Sequence, residues 1–340
     1  MSILDVFLGD AFSFRSLTDA IDRQEFTPSF LGTIPGLFEK KSIRTEGVWL
    51  EERDLGQRII QTSPRGAPPT TEGGDKRKVR GFKTFRLFEA STVWAHELQG
   101  IREFGQEAAV KDLSIEITRR QMKINKNFEL TEENMRLGAV QGIVVDADGS
   151  VLYDWWDEFS QTPGAEIVFN FSSSATEGAI IAQSNTIIRA MIRSLKGLGG
   201  TGVEVHALCG DAFWDAFTTS KEVRDTYKFN VEAPQLRSIV GRTWKTYDFG
   251  GILWHNYRGT DDNSTVAVPT NKVKFFPAGA GIFQVAYAPA ERFEFVNTPG
   301  QGRYSWMVVD TVRDSFASVE VYSYPLHVCT MPQALASGTI

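Results

Sequence analysis

Few residues in this chain are placed to do chemistry. There are four histidines, at 96, 206, 255 and 327, and two cysteines, at 209 and 329. His96–Glu97 opens like the zinc-protease pattern HExxH, in which two histidines one helical turn apart hold the metal and the glutamate acts as base. The second histidine would fall at position 100, which is Gly100. His96 is therefore expected to be a surface or capping residue. The stretch DADGS, Asp146–Ser150, starts like a calcium loop, but position twelve is Asp157 rather than a bidentate glutamate. A β-hairpin turn is the better reading. GLGGTG, Gly197–Gly202, follows a helical pattern instead of a strand, so a helix stop is preferred to a phosphate cradle. No GxxxxGK[ST] occurs. His206 and Cys209 lie three apart on one expected strand and so point to opposite faces, which disfavours a nucleophile–base pair. The cysteines form no CxxC, and neither a metal finger nor a disulfide framework is supported. That usage fits a reducing compartment. No catalytic, cofactor-binding or metal-binding residue is assigned.

The elements that would position such residues look built for contact instead. Gln106 to Leu137 contains no Gly or Pro and is bracketed by Gly105 and Gly138. Val110, Leu113, Ile117, Ile124, Phe128 and Met135 recur at steps of three, four and seven, one face of a helix. A single helix here would span roughly 48 Å. The alternative is two helices broken near Asn125–Asn127. Before it, residues 1–40 are rich in apolar side chains, with Phe14, Leu17 and Ile21 at helical spacing, and turn irregular through Pro28, Gly32, Pro35 and Gly36. They read as an arm with a short helix. Residues 43–62 alternate, suggesting two strands around a charged turn, the second carrying Ile59 and Ile60. Residues 63–82 hold three prolines and four glycines, which exclude a helix and suggest a long projecting hairpin or loop.

After the long helix, GIVVDADGSVLYD reads as a hairpin of Ile143–Val145 and Val151–Tyr153. Glu177–Lys196 is an expected helix stopped by glycines, followed by a strand at 203–209 and a helix after it. A second hairpin at 244–259 turns at Gly250–Gly251. Strands follow at 283–288 and within 306–327, where Val319 and Val321 alternate with Glu320 and Tyr322. The last strands are expected to return to the lobe of the long helix.

The totals agree with a globular chain. It has 340 residues, 42% hydrophobic and 23% charged, with net charge -6. That length can bury a sizeable core, and the charge does not suit gripping nucleic acid. The N-terminus lacks a secretory signature, and no apolar run is long enough to cross a membrane. The cluster Lys76, Arg77, Lys78 and Arg80 sits beside Glu72 and Asp75 in the expected loop, and contact with a neighbouring subunit is favoured over a phosphate site. Trp49 and Phe14 are further candidate contacts. Trp49 and the pair Trp155–Trp156 read by default as packed core, although exposed tryptophan is frequent at interfaces.

Several stretches, in order, resemble the lambda-type major capsid protein E family of tailed bacteriophages. They are SLTDAIDR, GLFEKKSIRTEGVWLEERD, SPRGAPP, GDKRKVRGF, HELQGIREFG and ENMRLGAVQGIVVDADGSVLYD, with VEVHALCGDAFWDAF in the later half. The resemblance implies an α+β, HK-ninety-seven-like capsid fold. It implies an N-terminal arm (1–42), an extended β-hairpin loop (43–90), a peripheral domain (91–178 with 301–340) carrying a spine helix at about 106–137, and an axial domain (179–300). It also implies hexamers and pentamers forming an icosahedral shell around double-stranded DNA, without sequence-specific binding, and scaffolding, decoration and portal partners. No cofactor and no membrane are implied. The virion capsid would be the location, after assembly in the host cytoplasm. Head-to-tail contacts that close into rings suit such a shell. The alternative is an encapsulin-like nanocompartment shell; an α/β enzyme using His206 or His255 ranks below both.

Overall fold

The computed structural model describes residues 26–53, 77–98, 113–172, 177–198, 200, 202–229, 246–262, 264–313 and 315–340. Its first half contains α1 (Phe30–Thr33), β1 (Phe38–Ser42), β2 (Gly47–Arg53), β3 (Arg77–Lys83), β4 (Leu87–Trp94), α2 (Ala95–Leu98), α3 (Leu113–Gln141), β5 (Ile143–Val145), β6 (Val151–Asp154), α4 (Trp155–Glu158) and β7 (Ile167–Val168). The second half contains α5 (Ala179–Leu195), β8 (Glu204–Cys209), α6 (Asp211–Thr219), α7 (Lys221–Phe229), β9 (Thr246–Phe249), β10 (Ile252–Asn256), β11 (Lys272–Ala278) and β12 (Phe283–Tyr287). It closes with β13 (Tyr304–Val309), β14 (Phe316–Ser323), β15 (Pro325–Cys329) and β16 (Ala336–Thr339).

The spine is one unbroken helix of 29 residues, α3, about 43 Å long at 1.5 Å per residue. There is no break at Asn125–Asn127; Asn127 instead donates from Nδ2 to the Glu89 carboxylate at 2.9 Å. The expected start at Gln106 lies outside the described residues. The expected stop at Gly138 is overturned, since α3 runs on to Gln141. Gly138 is needed for another reason: a Cβ there would lie 2.8 Å from the Ile143 carbonyl oxygen and from Val144 Cα. The glycine lets β5 pack directly on the helix. The helix ends at Gly142, with φ +88°, a left-handed conformation that glycine adopts without a steric cost.

α3 joins two cores. Ile117, Ile124 and Phe128 pack with Val93, Ala317, Val319 and Val321 under the antiparallel sheet β13–β14–β4. Further on, Met135, Leu137, Ala139 and Val140 enter a second core with Trp155, Trp156, Phe276 and Phe283. Two glutamate–arginine pairs on α3 run Glu(i) to Arg(i+4), the favourable order: Glu116–Arg120 at 3.0 Å and Glu132–Arg136 at 2.8 Å.

The second half centres on a six-stranded mixed sheet ordered β7–β16–β11–β8–β10–β9. One face carries Ile180, Ile187 and Met191 of α5 and Phe213, Trp214 and Phe217 of α6, all packed around the fully buried Trp254. A three-stranded sheet β1–β12–β15 adjoins it, with β1 parallel to β12. The expected return of the last strands holds for β13 and β14, which pair up to β4. β16 departs from it by pairing antiparallel with β11. There Gly338 admits the close packing of Phe169 and Val273.

Candidate functional site

The chemical candidates read from sequence are all tied into structure. Glu97 binds Arg120, and His96 is an exposed residue of the four-residue α2. In the DADGS turn, Asp148 Oδ1 accepts the Ser150 N–H at 2.8 Å, and Gly149 has φ +82°. The turn residues satisfy their own backbone. Asp157 belongs to α4, which Asp154 caps by accepting the Trp156 N–H at 2.9 Å. At Gly197–Gly202 the left-handed residue that ends α5 is Lys196, φ 52°, rather than the expected glycine. Among the described residues no group of three or more His, Cys, Asp or Glu is placed to hold a metal ion, and no helix is long and apolar enough to cross a membrane.

His206 and Cys209 do point to opposite faces of β8. His206 stacks on Phe276, while Cys209 lies in the other core, with Trp254. The two strands β8 and β10, parallel neighbours, bring His206 Nδ1 to 2.9 Å from His255 Nε2. His255 Nδ1 lies 3.0 Å from Thr246 Oγ1, and Glu204 lies 3.7 Å beyond His206 Nε2. Burial lowers both histidines, and His255 falls to about 3 because the neighbouring His206 adds to the burial effect. His327 is also lowered to about 3, by burial and then by Arg136. Burial pushes the Cys329 thiol up to about 12 and raises Cys209 as well. These are neutral core groups, without a thiolate nucleophile or a poised base.

Several large apolar side chains are exposed. β2 and β3 pair antiparallel, so the hairpin has two faces. Val48, Leu50 and Phe82 face the body. Phe82 meets Trp155 edge-on at 5.3 Å, and the Tyr153 hydroxyl accepts the Lys83 N–H at 2.9 Å. Trp49 and Val79 face outward, 74% and 60% exposed. The Trp49 ring lies over Gly81, where a Cβ would come within 2.8 Å of Cζ3. Trp49 is thus a surface residue rather than the packed anchor read by default, whereas Trp155 and Trp156 are buried. The basic cluster is corrected too. Arg77, Lys78 and Arg80 belong to strand β3 instead of a loop. Arg77 pairs with Glu51 at 3.4 Å, and the Arg80 guanidinium lies over the Phe159 ring at 5.2 Å. Lys76 and Phe14 lie outside the described residues, as do Ile59, Ile60 and the Phe14–Ile21 spacing.

A second apolar surface is the face of β13–β14–β4 turned away from α3. Register places Phe88 beside Tyr322 and Trp94 beside Phe316. Phe88 stacks on Tyr322 at 4.6 Å, and Trp306 reaches Tyr322 at 4.8 Å. Arg86 lies over Phe88 and Tyr322, and Arg292 over Trp306 at 3.9 Å. Phe88 and Trp94 remain 46% and 43% exposed. Sequence reasoning missed this face, although the alternation Tyr304, Trp306, Val308 carried the signal.

Two exposed apolar surfaces, with no reactive centre assembled among the described residues, are what a protein that works by contact would show. A family model described as phage major capsid protein E matches residues 13–340. The chain belongs to that family. It is 25% identical over 323 residues to the major capsid protein of Pseudomonas phage KPP10, covering 89% of this chain and 90% of that one. It is 23% identical over 360 residues to the major capsid protein of Salmonella phage Felix O1 (isolate Felix O1-VT1), covering 94% of each. Its fold matches that in the asymmetric unit of the bacteriophage PhiM1 mature capsid with a TM-score of 0.57, at 11% identity, covering 96% of this chain and 91% of that one. The fold is the α+β, HK-ninety-seven-like capsid fold. The protein is a major capsid protein of a tailed phage or prophage, a structural component of the virion shell and not an enzyme. The family match displaces both alternatives, the nanocompartment shell and the α/β enzyme.

Proposed function

We propose that the chain builds hexamers and pentamers by seating the outer face of the β2–β3 hairpin on the aromatic sheet face of a neighbouring subunit. The observation that carries this reading is Trp49, 74% exposed on a hairpin whose other face is anchored to the body. A tryptophan so displayed is a typical interface anchor. The two patches lie on different elements of one chain, so the contact is heterologous, and such contacts close into rings when the rotation fits. Arg77, Lys78 and Arg80 border the same hairpin, and Lys76 and Phe14 join them as contact residues.

In this reading residues 1–42 are the arm and 43–90 the extended loop. Residues 91–178 with 301–340 are the peripheral domain and 179–300 the axial domain, with β7, β15 and β16 sharing sheets with axial strands. The shell assembles in the host cytoplasm with scaffolding, portal and decoration proteins. It encloses double-stranded DNA without reading its sequence. A net charge of -6 supports that role, because packaged DNA must slide past its container.

The test is a pair of cysteines, Trp49→Cys with Phe88→Cys, oxidised in assembled protein. Cys209 and Cys329 are fully buried and do not compete. The expected product is a ladder of covalently linked chains ending at five and six. Monomer alone, from protein that has assembled, would contradict the contact.

A further inference from the structure

We infer that the segment Phe26–Ser42, which joins the first 25 residues to the body of the protein, is an acid-sensitive latch seated on uncharged buried histidines. The segment is held at a few points. Leu31 and Leu37 are buried, and β1 pairs with β12. The Phe30 ring covers His255 at 4.8 Å, and the Phe38 ring meets His327 edge-on at 5.7 Å. The Leu31 N–H donates to Glu133 Oε1 at 2.8 Å, and the Phe26 N–H donates to Asp261 at 3.1 Å. The titratable groups that meet this segment thus include His255, His327, Glu133 and Asp261.

The surroundings of each determine the sign. His255 faces His206 from β8, Thr246 from β9 and Phe30 from α1. Glu204, beyond His206, is the charge that favours protonating the pair, and it is the exposed end of the chain of contacts. His327 faces Phe38 from β1 and Arg136 from α3, and shares its sheet row with Val285 and Lys40. Among the described residues neither ring nitrogen of His327 has a hydrogen-bond partner. A proton on it would be buried without an acceptor, near a guanidinium. An imidazole kept neutral under the segment takes up a proton more readily once the segment lifts. Attachment through these histidines is therefore complete above about pH 6.5 and is lost as pH falls toward about 3.

The carboxylates around the segment divide. Glu133 is raised by burial against the lowering by the Leu31 N–H and Arg136, so its protonation favours the covered state as pH falls. Asp261 is lowered by the Phe26 N–H and then by Arg258, so its hold on the segment weakens in the lowest part of the range. Two histidines and Asp261 act against Glu133 alone, and the net direction is release in acid.

Hydrogen–deuterium exchange of the full-length protein between pH 7.5 and 4.5, corrected for intrinsic rates, tests this. Amides of residues 30–42 are expected to lose at least tenfold more protection than those of α5 and of Ile124–Met135 between pH 6.5 and 4.5. His255→Gln and His327→Gln should each flatten that dependence. If either fails to fold, judged by α5 protection at pH 7.5, Phe30→Ala decides. It uncovers His255 while leaving every titratable group in place, and it must move the loss to higher pH. Protection of 30–42 that holds to pH 4.5 would overturn the inference. So would protection that falls together with α5, an equally steep loss in folded histidine variants, or no upward shift in Phe30→Ala.

Discussion

Trp49→Ala removes a side chain that the isolated subunit leaves 74% exposed. Its ring lies over Gly81 at the edge of the hairpin, outside all the buried clusters. Folding should therefore change by about 0.5 kcal/mol or less, as for other exposed truncations. Assembly should change far more. A tryptophan offers about 150–250 Å² for burial, and the exposed 74% amounts to roughly 110–185 Å². At about 25 cal/mol per Å² that is about 3–4.5 kcal/mol per contact. Interface ordering and desolvation offset part of this, leaving about 2–4 kcal/mol, the usual cost of truncating an anchor. Each contact then weakens by about 30- to 1000-fold. Sedimentation velocity across a concentration series reads the assembly threshold, and urea unfolding of unassembled protein reads the fold. Trp155→Ala is the counterpart: Trp155 is fully buried, and its loss should cost folding about 3–5 kcal/mol. Assembly of Trp49→Ala at the parent concentration would refute the reasoning. A urea midpoint lowered as far as in Trp155→Ala would refute it equally.

Other perturbations follow from the same geometry. Ile117→Pro, in the part of α3 that packs under the β13–β14–β4 sheet, should cost about 3 kcal/mol or more; an unchanged urea midpoint would count against a continuous spine. Gly142→Ala forces φ +88° on an L-residue and places a Cβ 2.3 Å from Trp156 Nε1. It should lower stability by about 2–5 kcal/mol, read as a fall in Tm. Global stability should also fall in acid. His255 and His327 are lowered to about 3 in the fold and return to 6.5 on unfolding, so their contribution is intact above pH 6.5 and lost as pH falls toward 3. Between pH 7 and 4.5 that is about 2–3 kcal/mol for each, offset in part by Glu133. Urea midpoints at the two pH values check it.

Local patterns were legible wherever the signal was local. The β5–β6 hairpin announces itself through Asp148–Gly149 between alternating strands, and α5 through apolar spacing ended near glycines. Gly138 misled because a glycine marks either a helix end or a close approach of another backbone, and only the packing of β5 tells which. Only the start of β3 was hidden, because Arg77, Lys78 and Arg80 make it look like solvated loop. The His206–His255 pair joins residues 49 apart through strand adjacency, which spacing along the chain cannot reveal. Trp49 defied the default that large aromatics are core, since its exposure depends on which face of the hairpin meets the body. Phe14 and Lys76 lie outside the described residues. The capsid reading rested on the ordered series of matching stretches, since contact surfaces carry no compact motif.

The central claim is that this subunit closes into five- and six-membered rings. Electron microscopy of the purified protein in negative stain, taken beside its sedimentation profile, tests that most directly. Pentameric and hexameric rings, or closed shells built from them, are expected. A homogeneous monomer at every concentration, with the phage scaffolding protein present as well as absent, would contradict it.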